Sequence, residues 1–295
     1  MMTAHLRPPP PADASAPSPR RSGWIAGIPD DVYHADRDTV SSSGLRTLDG
    51  RSPAHFRAEL DNPRTETPAM VLGRAIHCRT LEPERYAKGY VVPPVCDRRT
   101  KAGKQTWDDF VQAHPGATIL TAADAEIVEG VAAAVHAHPV ARAALQGAEI
   151  EVSGYYVDAE TGVHCRIRPD AMRRELALMI DLKSALDASP AGFRRTMHQR
   201  GYHVQAAMYA AGYRAITGEA LTDYLLIAAE KSPPYAVACY RIDAAAMVEG
   251  ERIYRRALRT YAACLASDRW PGYGEGVEPL GLPAWAWGAD EEGEA

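Results

Sequence analysis

The sequence predicts a mixed α/β domain, one sheet of about five strands with helices packed around it. Three observations carry this. Between Ser41 and Gln146 the apolar residues recur with helical spacing behind Ser and Pro start signals. From Glu149 the period changes, and three strand-like segments follow in succession. After Ser189 the pattern reads helix, two strands, helix.

Each element has a local reason. Ser41-Ser42-Ser43 before GLRTLDG predicts an N-capped short helix. Ser52-Pro53 opens a second, AHFRAEL, with Pro at its first position. Residues 67–82 place Met70, Ile76, His77 and Leu81 near one helical face. Residues 97–104 (DRRTKAGK) read as a glycine-containing basic loop of net charge +3. Residues 122–146 are Ala-rich and helical, interrupted at Pro139. Residues 149–157 (EIEVSGYYV) read as one strand and DAETG at 158–162 as a hairpin-type turn. Residues 163–172 read as a half-buried strand, because Val163, Cys165 and Ile167 alternate with His164, Arg166 and Arg168. The apolar run that starts LALMIDLK at 176–183 predicts a strand buried on both faces. Ser189-Pro190 starts AGFRRTMHQR, and the helix YHVQAAMYAAGYRAI after it is stopped by Gly218. Residues 221–229 and 235–242 read as two further strands, and 243–266 as a last helix.

Composition narrows the class. The 295 residues carry a net charge of −5, which argues against a non-specific nucleic-acid coat protein. No apolar run approaches the roughly 20 residues of a membrane span. The five cysteines are scattered without a CxxC, which argues against a disulfide framework or structural zinc and for a reducing compartment such as the cytoplasm. The Pro-rich segment 1–22 lacks the apolar core of a signal peptide and reads as a disordered tail. Residues 290–295 (DEEGEA) read as an acidic tail, leaving one domain over 23–289. The acidic average hides two basic stretches, +3 at 97–104 and +5 at 163–214.

Chemistry concentrates between 151 and 209. Asp170 stands at the end of one strand, in R-P-D; Asp181 and Lys183 stand at the end of the next, in I-D-L-K. Two residues apart on a strand means one shared face. Adjacent strands would bring Asp170 beside them. Two carboxylates next to an ammonium suit Mg²⁺ and a substrate phosphate. The ion polarises a phosphoryl group and acidifies a bound water, while the lysine positions that water or stabilises developing charge. The D-x-K triplet alone is a weak signal, and the bland alternative is a strand-end salt bridge between Asp170 and Lys183. The chain holds only five lysines against 28 arginines, so a lysine here favours a role that needs a compact ammonium.

At these residues the chain resembles the PD-(D/E)XK nuclease superfamily, and within it the RecE-type family, the nuclease domain of exodeoxyribonuclease VIII. The resemblance rests on SSSGL at 41–45, SPAHF at 52–56, GRAIHCRTLEP at 73–83 and RRTKAGK at 98–104. It continues through ETGVHCRIRPD at 160–170, DLK at 181–183, YHVQAAMY at 202–209, WP at 270–271 and LPAWA at 282–286. It implies a restriction-endonuclease-like fold. It also implies a Mg²⁺-dependent exonuclease, with Mn²⁺ able to substitute, that degrades one strand of duplex DNA 5′→3′. The overhang would serve a single-strand annealing recombinase in phage-type recombination, and the enzyme would be a ring-shaped homo-oligomer.

Residue by residue, Asp170, Asp181 and Lys183 match the family's D…DxK, the two aspartates as metal ligands and Lys183 as the water-orienting group. His77 matches a helix histidine that related RecB-like nucleases bring to the metal. Glu151 matches an acid on the first core strand; Glu149, Glu126, Asp108 and Asp109 remain alternatives to it. Gln205 and Tyr209 match a Q-x-x-x-Y motif, Gln205 bracing the site and Tyr209 contacting DNA or a catalytic side chain. They share a helix face. Arg98, Arg99, Lys101, Lys104, Arg166, Arg168, Arg194 and Arg195 are the candidate phosphate contacts. Some RecB-like nucleases hold an iron–sulfur cluster with a late group of three cysteines; that group is missing here, so no cluster is expected. The chain has no Walker A motif, so no ATP-driven motor is expected. Two alternatives stay open: another nuclease of this superfamily, endonuclease or 3′→5′ exonuclease, and a nuclease fold used only to bind DNA or a partner.

Overall fold

The structure is a computed structural model that describes residues 21–62, 66–274 and 276–282. The anticipated tail over 1–22, apart from its last two residues, lies outside the described residues, as do the acidic tail and all but the first residue of LPAWA. Strand β1 (Gly23–Ile25) and helix α1 (Asp30–Ala35) come first. Four helices follow, α2 (Ser42–Gly50), α3 (Pro53–Asp61), α4 (Pro68–Leu81) and α5 (Pro83–Gly89). Ser52 and Thr67 cap α3 and α4 by accepting the backbone N–H three residues on, and both helices start with Pro. Ser41 stands at the N-cap of α2 without a side-chain cap; its hydroxyl pairs with that of Ser43 at 2.9 Å. On α4 the buried residues are Ala75, Ile76, Cys78 and Thr80, so the face drawn through Met70 is corrected: in the first turn, Met70 is half exposed.

Short strands β2 (Tyr90–Val91) and β3 (Thr118–Ile119) pair in parallel around α6 (Lys101–Ala113). The anticipated basic loop at 97–104 is therefore half helix. Thr100 accepts the Gly103 N–H at 3.0 Å and starts α6 at Lys101. The Ala-rich stretch forms α7 (Ala122–Ala137) and α8 (Pro139–Leu145), broken at Pro139 as the sequence requires.

The strands that follow are β4 (Glu149–Ile150), β5 (Ser153–Val157), β6 (His164–Ile167), β7 (Ala171–Arg173) and β8 (Leu178–Ala185). Helices α9 (Pro190–Arg200) and α10 (Tyr202–Thr217), strands β9 (Asp223–Glu230) and β10 (Val237–Arg241), and α11 (Ala244–Ser267) complete the chain. The main sheet has five strands in the order β10-β9-β8-β7-β4, with β8 and β9 parallel and the other pairs antiparallel. This is the mixed α/β sheet that the sequence predicts. A second, three-stranded sheet runs β1-β5-β6.

The second sheet corrects two predicted strands. Residues 149–157 are two strands, broken at Glu151, whose φ is +53°. Residues 163–172 are also two, broken at Arg168-Pro169-Asp170. The breaks lie side by side, for the Glu151 N–H donates to the Asp170 carbonyl at 3.1 Å. Pro169 has no N–H for a ladder, so at this point both chains leave the small sheet for the main one.

The main sheet is covered on both faces. Met179, Tyr224 and Leu226 face a core with α2, α10 and α11; Ile180, Leu182 and Ile227 face another with α4 and α7. Period two therefore sends Asp181 and Lys183 to the α10 side. All five thiols are unpaired. Among the described residues, no helix is long and apolar enough to cross a membrane.

The β5–β6 turn is pinned by Asp158. Its Oδ1 accepts from the Thr161 N–H at 3.0 Å and hydroxyl at 2.8 Å, and its Oδ2 pairs with Arg255 of α11. Burial pushes its carboxyl up, but the Thr161 and Arg255 donors outweigh that and hold it below the ordinary range. A depressed folded pKa contributes stability that is complete above the unfolded value of about 3.9 and is lost as pH falls through the folded value. Asp158→Asn is thus expected to cost about 1–2 kcal/mol at pH 7 and to narrow its gap to the wild type in acid, read by urea denaturation at pH 7 and pH 3.

Candidate active site

Strand β8 pairs with β7 only over Leu178–Ile180, while it pairs with β9 along its whole length. Its second half, from Asp181 on, consequently has a free edge on the β7 side. The Asp170 carboxylate fills the first vacancy in that ladder, accepting the Leu182 N–H through Oδ2 at 2.6 Å. The D-x-K residues and Asp170 meet here because one strand outruns its neighbour.

Asp181 is 1% exposed. Its Oδ1 accepts from Gln205 Nε2 at 2.9 Å, and its Oδ2 pairs with Lys183 Nζ. Lys183 also donates to Gln205 Oε1 at 3.2 Å. Gln205 therefore bridges the acid and the ammonium and braces both. Lys183 pairs with Asp181 and not with Asp170, which disposes of the strand-end bridge. Asp170 instead faces His77, with Oδ2 3.4 Å from Nδ1. His77 reaches the site from α4.

The charges are mutually perturbed. Burial pushes the Asp170 carboxyl up, but His77, Lys183 and the Leu182 N–H outweigh it and hold it low. Asp181 stays raised, because burial and Asp170 together exceed the help from Lys183. Burial disfavours the Lys183 and His77 cations, yet the aspartates raise both. Glu151 is pushed up to about 8, first by burial and then by Asp170. Its left-handed backbone sits beside Asp170, and Arg168 Nε lies 4.0 Å from its Oε2.

Other candidates do not gather here. Glu149 is engaged by Arg174 at 2.6 Å on the sheet edge. Glu126 is exposed on α7, and Asp108 and Asp109 on α6, where Asp109 accepts from Gln105. Glu151 is the acid that the fold brings in. Tyr209 is corrected: it is buried, and its hydroxyl donates to the Arg168 carbonyl at 3.1 Å. It holds the main-chain turn before Asp170 and cannot touch DNA.

Arg166 and Arg168 are corrected too. Arg166 is buried and donates to the carbonyls of Asp36 and Thr39. Arg168 is buried over the Tyr33 ring and donates to Ser153 Oγ, Asp30 Oδ1 and the Ile28 carbonyl. Both are structural cations, Arg168 bonded through all three of its nitrogens and Arg166 through Nη1. Arg194 and Arg195 are exposed on α9, next to the C-terminal end of β8, and Lys101 and Lys104 are exposed on α6. Arg98 stacks on Trp107 at 4.0 Å, and Arg99 pairs with Asp97 at 3.0 Å.

Sequence reasoning missed two residues at the site. Tyr202, one turn before Gln205 on α10, lies under Lys183. Tyr224 of β9 lies in the same core with its hydroxyl buried against Asp181, and burial and that aspartate push its phenol well above the ordinary value. The i, i+3 spacing of Tyr202 and Gln205 was available as a signal.

A divalent cation suits these donors. Three acids and an imidazole crowd together, burial and Asp170 push Glu151 up to about 8, and Asp181 stays raised because Lys183 offsets only part of the burial and the neighbouring acid. Among the described residues, no three His, Cys, Asp or Glu side chains enclose a common point as they stand. The present partners of the acids are Lys183, His77 and Gln205.

A mixed sheet with D…DxK at the free edge of β8, and a bracing glutamine from the helix behind it, is a PD-(D/E)XK-like fold. The chain belongs to the family described as "PDDEXK-like domain of unknown function (DUF3799)", whose model matches residues 41–282. No curated protein sequence matches the chain. Among solved structures it is similar to a "Putative exonuclease" from Eubacterium rectale, at 15% identity and a TM-score of 0.55, covering 90% of this chain and 100% of that one. That likeness is one of fold. A phage related exonuclease from Haemophilus somnus 129PT aligns at 10% identity and a TM-score of 0.32, over 78% of this chain and 96% of that one, too distant to bear on the argument.

Proposed function

We propose that the protein is a Mg²⁺-dependent deoxyribonuclease that works as an exonuclease on the ends of linear duplex DNA. The observation that carries this is the Asp170–Asp181–Lys183 constellation on the free edge of β8, with Gln205 bonded to both Asp181 and Lys183. Asp170, Asp181, Glu151 and His77 would hold the cation. A bound divalent ion supplies polarisation of the scissile phosphoryl group and a more acidic water. Lys183 offers its N–H donors to the attacking water or the charge that builds on phosphate. Gln205 limits the swing of both side chains, and Tyr209 keeps the Arg168-Pro169-Asp170 turn in place. Binders need no carboxylates against phosphate, which repel it, so the acid cluster favours chemistry over a scaffold role.

The finer reading follows the RecE-type resemblance: 5′→3′ digestion of one strand, a 3′ overhang for an annealing recombinase, a ring-shaped homo-oligomer and a cytoplasmic setting. The test is digestion of linear duplex labelled at one 5′ end, with and without Mg²⁺, beside closed circular duplex. Label released early as mononucleotide, with the circle intact, is the expected result. Cleavage of the circle would make it an endonuclease, and late release of 5′ label a 3′→5′ enzyme. No Mg²⁺-dependent cleavage of either would overturn the proposal.

Phosphate contact is assigned to the exposed cations. The double variant Arg194→Ala, Arg195→Ala is expected to weaken duplex binding without sequence preference. It should flatten the log K against log salt slope by about 2, in a filter-binding titration in Ca²⁺.

A further inference from the structure

Lys183 is the last side chain of the D-x-K triplet and ends a flexible four-carbon stem. Its ammonium has three donors to settle. Asp181 and Gln205 take two directions. In the third, the Tyr202 ring centroid lies 4.6 Å from Nζ. We propose that Tyr202 is the positioning residue of Lys183, its ring face holding the ammonium by a cation–π contact. This rests on the nuclease reading above.

The placement of Tyr202 is built into the helix junction. Gly201, at φ +63°, ends α9 in the left-handed conformation and makes Tyr202 the first residue of α10. Tyr202, Gln205 and Tyr209 then fall at i, i+3 and i+7, one stripe of α10 aimed at the site. The ring is backed as well. Phe193 of α9 lies at 6.0 Å, and Phe193 is itself stacked on Tyr240 of β10 at 5.3 Å. Tyr240 is anchored by its hydroxyl on the Ala188 carbonyl at 2.6 Å.

The ring matters because the polar partners of Lys183 have other duties. Asp181 is a candidate metal-holding acid, so two cations compete for its carboxylate. Gln205 is shared between Lys183 and Asp181. The ring is the partner for which no second cation competes. Lys183 is 16% exposed, and in such partly desolvated surroundings a cation–π contact is strong enough to hold a rotamer.

The test compares Tyr202→Leu, which removes the π face at similar bulk, with Tyr202→Phe, which keeps it. In Mg²⁺ on end-labelled linear duplex, Tyr202→Leu is expected to lower kcat about 5- to 30-fold with KM within about twofold. Tyr202→Phe should restore kcat to within about twofold of wild type. A second readout uses metal-free protein. With only five lysines, the ε-methylene signal of Lys183 in ¹³C-lysine NMR is identified by its loss in Lys183→Arg. It should be shifted upfield by the ring in wild type and Tyr202→Phe and return towards the other lysines in Tyr202→Leu. The proposal is overturned if Tyr202→Leu keeps wild-type kcat, if Tyr202→Phe is as slow as Tyr202→Leu, or if the Lys183 signal does not move. A wild type that releases no nucleotide fails the nuclease reading instead, and the NMR shift still reports the contact separately.

Discussion

Asp181→Asn is expected to lower Mg²⁺-dependent release of nucleotides from linear duplex by about 10³-fold or more. The substitution is isosteric and keeps an oxygen for the Gln205 amide, which now bonds Oδ1 at 2.9 Å. What it removes is the negative charge that faces Lys183 and that a cation would need. Duplex binding in Ca²⁺ is expected to survive, because the exposed cations of α9 and α6 are untouched. Stability at pH 7 should hold or rise, since the fold disfavours the Asp181 charge that the amide removes. Full activity in this variant, with a normal circular-dichroism spectrum, would sink the D…DxK assignment.

Arg168→Met is expected to cost about 3–5 kcal/mol of folding stability, because it strips a buried cation from partners that stay behind. Ser153 Oγ, Asp30 Oδ1 and the Ile28 carbonyl each lose a donor held at 2.8–2.9 Å, and Tyr33 loses the guanidinium over its ring. Asp30 retains only Arg85, at 2.5 Å, of its two arginine partners. Urea denaturation measures the loss, and Arg194→Ala on the exposed face of α9 should stay within about 0.5 kcal/mol of wild type. An Arg168→Met protein of unchanged stability but weakened DNA binding would return Arg168 to the phosphate-contact role.

These two arginines show where reading a strand pattern fails. Arg166 and Arg168 alternate with Val163, Cys165 and Ile167, and alternation normally sends the polar set to water. Here the segment carrying α1 and Thr39 lies over that face and supplies the Asp36 and Thr39 carbonyls to Arg166, and the Ile28 carbonyl and Asp30 to Arg168. Nothing within ten residues of Arg168 announces that cover. The two predicted strands that are four in the structure differ for a similar reason. A proline and a left-handed glutamate are local features, but that they sit opposite each other depends on the pairing of β4 with β7. Glu149 stands as an alternative to Glu151 because the two share one face of an unbroken strand, and the break at Glu151 separates them.

The sequence by itself determined the β8 half of the site. Period two on a buried strand puts Asp181 and Lys183 on one face, helical spacing puts Gln205 and Tyr209 on one face of their helix, and Ser52, Ser189 and Gly218 mark helix ends. These are short-range consequences of backbone geometry, independent of what packs outside. Tertiary structure alone decided that β8 outruns β7, so that Asp170 takes the Leu182 N–H. It also decided that His77 arrives from α4, that Glu151 and not Glu149 joins, and that Tyr209 serves a carbonyl while Tyr202 serves Lys183. Those are contacts between segments far apart in the chain. Burial, which decides whether a charged side chain meets water or a partner, is a property of the neighbours and not of the residue.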